Sequence, residues 1–156
     1  MTSGTAPASA QRRPELAGQT VVLIGGSAGI GLETARRARA EGADVILTGR
    51  DPGRLRQAAQ QVGAQGTAAF DATDPAALAS FWRDRPAPVD HVMITAGGPR
   101  YGPLLEMDAA VVREALSDHA VLALEVARHA VGKMRPGGTL LLMGGTGGRR
   151  VRQGAG

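Results

Sequence analysis

The chain has 156 residues, of which 43% are hydrophobic and 21% charged, a balance typical of one globular domain. It contains no cysteine and only three histidines, so we expect no disulfide framework, no metal site and a reducing, cytoplasmic location. Aromatic residues are only 3%, and the basic residues behind the net charge of +4 are scattered among carboxylates, which argues against nucleic-acid binding.

Short apolar runs alternate with longer helical patterns along the chain. The apolar runs predict five strands, and the patterns between them predict four helices. In chain order these are strand 21–25, helix 30–41, strand 44–48, helix 53–62, strand 67–70, helix 75–84, strand 91–95, helix 108–134 and strand 139–143. Such alternation is typical of βαβ units, so we expect a Rossmann-type α/β fold. Its open, doubly wound parallel sheet of about five strands would carry helices on both faces.

The composition also divides the chain into three parts. Residues 1–17 are rich in Ser, Ala and Pro and predict a flexible leader, 18–148 predict the folded domain, and 149–156 predict a basic flexible tail. No apolar run approaches the roughly 20 residues of a membrane-spanning helix, so no membrane partner is expected. Helix 108–134 is apolar most of the way round between residues 120 and 131. Such a helix is covered on two sides, which favours a homodimer through it.

A glycine-rich turn follows the first predicted strand and opens the first predicted helix. The sequence there reads Gly25-Gly26-Ser27-Ala28-Gly29-Ile30-Gly31. A turn of this kind aims free backbone N–H groups at whatever lies beyond the strand, and glycines let a pyrophosphate approach the backbone closely. In a strand–turn–helix context within a βαβ unit, the pattern predicts a dinucleotide site.

The spacing Gly-x-x-x-Gly-x-Gly at Gly25, Gly29 and Gly31 resembles that of the short-chain dehydrogenase/reductase family. Other landmarks agree: residues 16–19 before the first strand, 71–74 after the third and Ala96-Gly97 after the fourth. The resemblance covers roughly residues 15–148. It implies an oxidoreductase that transfers a hydride between a nicotinamide cofactor and a small-molecule carbonyl or alcohol.

The resemblance also implies which residues bind the cofactor. NAD-specific members place a carboxylate at the end of the second strand, where this chain has Gly49 followed by Arg50. A guanidinium there suits a 2′-phosphate, so we expect NADP(H) to be preferred over NAD(H). The implied cofactor-binding set is Gly25, Ser27, Gly29, Ile30, Gly31, Arg50, Asp71, Ala72, Ala96 and Gly97.

Two members of this set have simpler alternative interpretations. Arg50 is also the kind of solvated loop arginine that precedes a helix starting at Asp51-Pro52. Asp71, which by resemblance would accept a hydrogen bond from the adenine amino group, is equally a common turn residue. Asp74 we interpret as the cap of the third helix, with Pro75 at its first position.

The family's proton donor, Tyr in Tyr-x-x-x-Lys, is absent from this sequence. The only tyrosine is Tyr101, the only lysine is Lys133, and Leu105 stands four residues after the tyrosine. The remaining catalytic candidates are Thr146 and His119. By resemblance, Thr146 stands beside the position of the family's active-site Ser, and His119 stands at the position of the family's helix Asn. Thr146 could equally belong to a flexible glycine turn, and His119 could be a packed or surface side chain.

The sequence thus predicts the cofactor half of an NADP(H)-dependent short-chain oxidoreductase. The chain ends before the Tyr-x-x-x-Lys segment, which indicates a truncated product or a domain that a partner completes. The alternative hypothesis is a catalytically silent module that binds NADP(H) or another subunit.

Overall fold

The computed structural model describes residues 15–85, 88–98 and 100–144 and places in them one parallel sheet of five strands. The strand order is β3-β2-β1-β4-β5. The strands are β1 Thr20–Ile24, β2 Asp44–Gly49, β3 Gly66–Ala69, β4 Val89–Ile94 and β5 Met134–Leu142. Each neighbouring pair runs parallel, as βαβ connections require. The predicted fold class is therefore confirmed. Strands β2 and β3 lie on one side of β1, and β4 and β5 lie on the other, so the chain changes direction across the sheet between β1 and β4.

Within these described residues, five α-helices connect and flank the strands. They are α1 Gly29–Ala40, α2 Pro52–Val62, α3 Pro75–Arg83, α4 Ala109–Leu116 and α5 Leu122–Ala130. Asp51, Asp74 and Asp108 cap α2, α3 and α4, because each carboxylate accepts a hydrogen bond from a backbone N–H of the first turn. The predicted capping role of Asp74, with Pro75 behind it, agrees with this geometry.

The helices cover the two faces of the sheet. Alternate residues of β1 point to opposite sides, so Val22 packs among side chains of α3 and α5, whereas Leu23 packs among side chains of α1 and α2. Phe70, Phe81 and Trp82 pack on the first side, where the Phe70 and Phe81 rings stack with centroids 5.2 Å apart. Two apolar layers therefore hold the sheet, as in other doubly wound folds.

The structure corrects the predicted single helix over 108–134. The helical region is interrupted by a π-helical turn at Ser117–Val121, and its last α-helical residue is Ala130. The chain then turns, Val89 N–H donates to Lys133 O at 2.8 Å, and Met134 pairs with Val89 at the start of β5. The strand thus begins before the predicted residue 139, because backbone pairing with β4 draws the segment into the sheet.

The predicted leader and tail fall largely beyond the described part of the chain, which excludes residues 1–14 and 145–156. Among the described helices, none has the length and apolar character needed to cross a membrane. The described part of the chain contains no group of three or more His, Asp or Glu side chains placed to hold a metal ion.

Candidate nucleotide-binding site

A cleft of about 710 Å³ opens at the carboxyl ends of the central strands. It lies where the chain changes direction across the sheet, which is where ligands bind in open α/β folds. Its lining combines the glycine turn, the ends of β2, β3 and β4, and one side of the helical region. The lining residues are Gly25, Ser27, Ala28, Thr48, Gly49, Arg50, Phe70, Asp71, Ala72, Thr73, Thr95, Ala96, Gly97, Gly98, Arg100, Glu114 and Asp118.

The predicted cofactor-binding residues converge on this cleft. Seven of the ten line it, and the other three, Gly29, Ile30 and Gly31, form the first turn of α1 directly behind the glycine turn. Ala72 is buried beneath the surface, whereas the Ile30 side chain is 58% exposed. The fold therefore brings together residues that are separated by up to 72 positions in sequence.

Helix α1 differs from α2, α3 and α4 at its N-terminus. Its N-cap residue is Ala28, in an extended conformation, and no side chain accepts a hydrogen bond from its first turn. The N–H groups at a helix N-terminus carry partial positive charge and need acceptors. Ala28 lines the cleft, so α1 presents unfilled donors to it.

Close backbone contacts explain two glycines of the turn. A Cβ on Gly25, whose φ is +102°, would lie 2.5 Å from the backbone nitrogen of Ala96. A Cβ on Gly31 would overlap the carbonyl oxygen of Gly25 and lie 2.6 Å from Thr95 Oγ1. The absence of side chains at these two positions thus lets the turn and α1 pack closely onto the ends of β1 and β4.

One wall of the cleft carries Arg50. This side chain is exposed and, within residues 15–85, 88–98 and 100–144, forms no ion pair. Beside it, a Cβ on Gly49 would lie 3.0 Å from Ser27 Oγ, so the serine hydroxyl occupies the space that a side chain at 49 would need. This end of the cleft therefore carries the Arg50 guanidinium and the Ser27 hydroxyl. Residue 49, a glycine, adds no carboxylate there.

Asp71 on the adjoining wall belongs to a turn. Its Oδ1 accepts hydrogen bonds from Thr73 N at 3.0 Å and Thr73 Oγ1 at 2.8 Å. The Thr73 backbone N–H, then its hydroxyl, and last the Arg50 charge lower the pKa of Asp71, and together they outweigh burial, which raises it. The carboxylate is therefore charged at neutral pH, and it faces the cleft while it closes the turn.

The opposite wall holds an ion cluster that the sequence did not reveal. Arg100 Nη2 lies 3.1 Å from both Asp118 Oδ2 and Glu114 Oε2. The three side chains come from the β4–α4 loop, from α4 and from the π-helical turn. No spacing pattern links a loop arginine to carboxylates 14 and 18 residues further on, so only the folded chain identifies this group.

Thr48 and Thr95 were also missed as site residues. Thr48 is 1% exposed at the end of β2, and Thr95 follows the last residue of β4. A polar residue closing an otherwise apolar strand is the one sequence signal that could have pointed to them. Both hydroxyls contact the glycine turn.

The candidate proton donors are placed apart from the cleft or beyond the described residues. His119 is exposed, its Nδ1 lies 3.1 Å from Ala115 O of the preceding turn, and it does not line the cleft. Thr146 lies outside the described residues. Tyr101 is 74% exposed, and the Lys133 ammonium donates to Arg85 O beside the amino end of β4. Tyr101 and Lys133 therefore form no acid pair in the cleft.

Known proteins share both the sequence pattern and this architecture. The family model of the short chain dehydrogenases matches residues 19–152. A cyclic-di-GMP-binding biofilm dispersal mediator protein of Escherichia coli is 31% identical over 86% of this chain and 56% of its own length. Galactitol 2-dehydrogenase of Cereibacter sphaeroides is 36% identical over 65% of this chain and 42% of its own.

Solved structures agree. The crystal structure of BdcA in complex with NADPH is 27% identical, with a TM-score of 0.79 over 90% of this chain and 57% of that one. A short-chain dehydrogenase/reductase of Serratia marcescens is 26% identical, with a TM-score of 0.82 over 90% and 60%. The chain thus spans about half the length of the relatives that it matches. With the glycine turn, the cleft and the strand order in place, it belongs to the short-chain dehydrogenase/reductase family.

Proposed function

We propose that this chain binds NADP(H), with the pyrophosphate at the N-terminus of α1. The observation that supports this most is the uncapped first turn of α1, which opens into the cleft behind turn residues that lack side chains. An anionic group placed there would accept hydrogen bonds from backbone donors and interact favourably with the helix dipole. The Cβ contacts at Gly25 and Gly31 support this proposal, because only glycine at both positions lets the turn and α1 pack this closely on the strand ends.

The preference for NADP(H) over NAD(H) rests on the wall formed by Ser27, Gly49 and Arg50. An exposed guanidinium can pair bidentately with a 2′-phosphate, and no carboxylate at position 49 repels that group. Asp71 and Ala72 would flank the adenine, and Ala96 and Gly97 would let the ribose approach the end of β4. The bound nicotinamide supplies or accepts a hydride.

At the level of the whole protein, we propose oxidation of a small-molecule alcohol or reduction of a carbonyl. The name of one relative, galactitol 2-dehydrogenase, fits this reaction class. A second candidate, a chain that binds NADP(H) without turnover, is supported by the positions of Tyr101 and Lys133. These two side chains lie on different parts of the fold, so they cannot act together as the family's proton donor.

A fluorescence titration with NADPH and NADH tests the cofactor assignment. We expect tighter binding of NADPH, and we expect Arg50→Ala to weaken NADPH binding about tenfold or more while leaving NADH binding within about twofold. The matched control is Arg56→Ala, an exposed arginine on α2 outside the cleft. Equal losses for both cofactors in Arg50→Ala would overturn the 2′-phosphate assignment.

Absorbance at the nicotinamide band separates the two functional candidates. NADPH consumption with a panel of ketones and quinones, lost in His119→Ala or Thr146→Ala, would contradict the silent-module candidate. Binding without consumption would support it and would place the proton donor outside this chain.

A further inference from the structure

Two threonine hydroxyls, from the carboxyl ends of two other strands, hold Gly25 from both sides. Thr48 stands at the end of β2 and Thr95 immediately after β4, and these are the two strands that flank β1 in the sheet. The peptide groups that they contact form the start of the glycine turn. Neither residue belongs to the glycine motif.

The Thr48 hydroxyl links the end of β1 to the turn. It accepts a hydrogen bond from Gly25 N at 3.2 Å and donates one to Leu23 O at 3.2 Å. Because Thr48 is 1% exposed, water cannot replace either partner. The Thr48 carbonyl also accepts from Gly26 N at 2.9 Å, so this residue holds two successive N–H groups of the turn.

The Thr95 hydroxyl holds the other side of the same residue. It donates to Gly25 O at 2.9 Å, with Ile24 O further away at 3.4 Å. It also occupies the space beneath the first turn of α1, since a Cβ on Gly31 would lie 2.6 Å from it. Thr95 therefore contacts both the turn and the base of the helix that we propose binds the pyrophosphate.

We propose that Thr48 and Thr95 are positioning residues for pyrophosphate binding. Their hydroxyls fix the orientation of Gly25 and so aim the free N–H groups of α1 into the cleft. The backbone of Gly25 has φ of +102° and no side chain to restrain it, so external hydrogen bonds set its geometry. This inference rests on the proposed NADP(H) binding and deepens it.

Isosteric replacement tests the proposal. Thr48→Val and Thr95→Val keep the shape of the side chain and remove the hydroxyl, whereas Thr48→Ser and Thr95→Ser keep the hydroxyl. We expect each valine variant to weaken NADPH binding about tenfold, because each loses the one hydrogen bond by which its hydroxyl holds Gly25 and preorganises the turn. The serine variants should stay within about twofold of the wild type.

A second probe distinguishes positioning from general loss of structure. 2′-AMP carries the phosphate that we assign to Arg50 but lacks the pyrophosphate, so its binding should be unchanged in the valine variants and weakened in Arg50→Ala. Thr67→Val, at an exposed threonine of β3 outside the cleft, is the matched control. Thermal unfolding verifies that each variant is folded.

Three outcomes would overturn the inference. Wild-type NADPH affinity in Thr95→Val would do so, whatever the behaviour of the buried Thr48→Val variant. Parallel loss of NADPH and 2′-AMP binding would show a structural role only. Failure of the wild-type chain to bind either compound would instead remove the proposed function itself, and the inference with it.

Discussion

Asp71 takes one of the two roles that the sequence left as alternatives, and its position leaves room for the other. Its carboxylate accepts two hydrogen bonds from Thr73 and closes a turn, yet it also lines the cleft. The turn role is therefore present in the structure, and the contact with adenine stays a prediction. The fixed, charged carboxylate lies near Arg50, whose charge helps to lower the pKa of Asp71.

Replacing Thr73 by alanine tests what sets this pKa. The variant keeps the backbone N–H but loses the hydroxyl, so we expect the pKa of Asp71 to rise part of the way to its ordinary value. NMR titration of the carboxyl carbon measures this pKa.

A group whose pKa is depressed on folding stabilises the protein above its unfolded pKa of about 3.9, and that contribution is lost as the pH falls through the folded pKa. The stability difference between wild type and variant should accordingly be present at pH 6 to 7 and vanish in acid. An unchanged Asp71 titration would contradict the assignment.

At the scale of elements, α1 differs from the other helices that begin after a loop in having no side-chain cap. Aspartates cap α2, α3 and α4, whereas the N-cap residue of α1 is Ala28, which makes no capping hydrogen bond from its side chain. A missing cap leaves donors without partners and costs helix stability, so its position beside the cleft supports the proposal that the cofactor supplies the acceptor.

Ala28→Asp should therefore stabilise the protein and weaken its binding. The extended backbone of Ala28 suits an N-cap, and a carboxylate there would gain about 0.5–2 kcal/mol of stability. The same charge would compete with and repel a pyrophosphate, so we expect NADPH binding to fall about tenfold or more. Thermal unfolding of the free chain and a fluorescence titration measure the two effects. Increased stability with unchanged affinity would show that the pyrophosphate does not lie at α1.

Asp74→Ala provides the opposite case in α3. Asp74 Oδ1 accepts from Ala76 N at 2.9 Å and from Ala77 N at 3.3 Å, and it does not line the cleft. Removing this cap should cost about 1 kcal/mol in the free energy of unfolding, measured by urea denaturation. NADPH affinity should be unchanged. A loss of affinity as large as that of Ala28→Asp would contradict the local role of each cap.

At the scale of the whole molecule, the helical region 109–130 presents apolar side chains from α5 to the sheet and others to the outside. Leu122 and Val126 are buried in the core, whereas Leu116 is 58% exposed and Val121 and Leu124 are each 49% exposed. This two-sided pattern is the one that the sequence predicted for this region. We propose that a second copy of the chain covers the exposed side.

Leu124→Glu tests this homodimer. A carboxylate at the centre of an apolar interface is strongly unfavourable, so the variant should sediment as a monomer where the wild type sediments as a dimer. Gln60→Glu adds the same charge on α2, which packs on the other face of the sheet, and should leave the mass unchanged. A monomeric wild type at micromolar concentration would contradict the proposal.

The limits of sequence reasoning are clearest after β4. The first four strands and first three helices begin and end within two residues of their predicted bounds, because apolar periodicity, Asp caps and glycines mark them locally. Beyond its Asp108 cap, the region up to residue 131 lacks such marks. Its π-helical turn and the early start of β5 depend on packing and on pairing with β4, so the predicted single helix was wrong.

The sequence by itself determined the alternating architecture, the glycine turn and the family resemblance, since each depends on residues that are neighbours along the chain. Only the tertiary structure decided which distant side chains meet: Thr48 and Thr95 at Gly25, Ser27 beside Gly49, and Arg100 with its two carboxylates. Hydrogen bonds and ion pairs act over a few ångströms, and parallel strands join at one sheet edge residues that lie far apart in sequence.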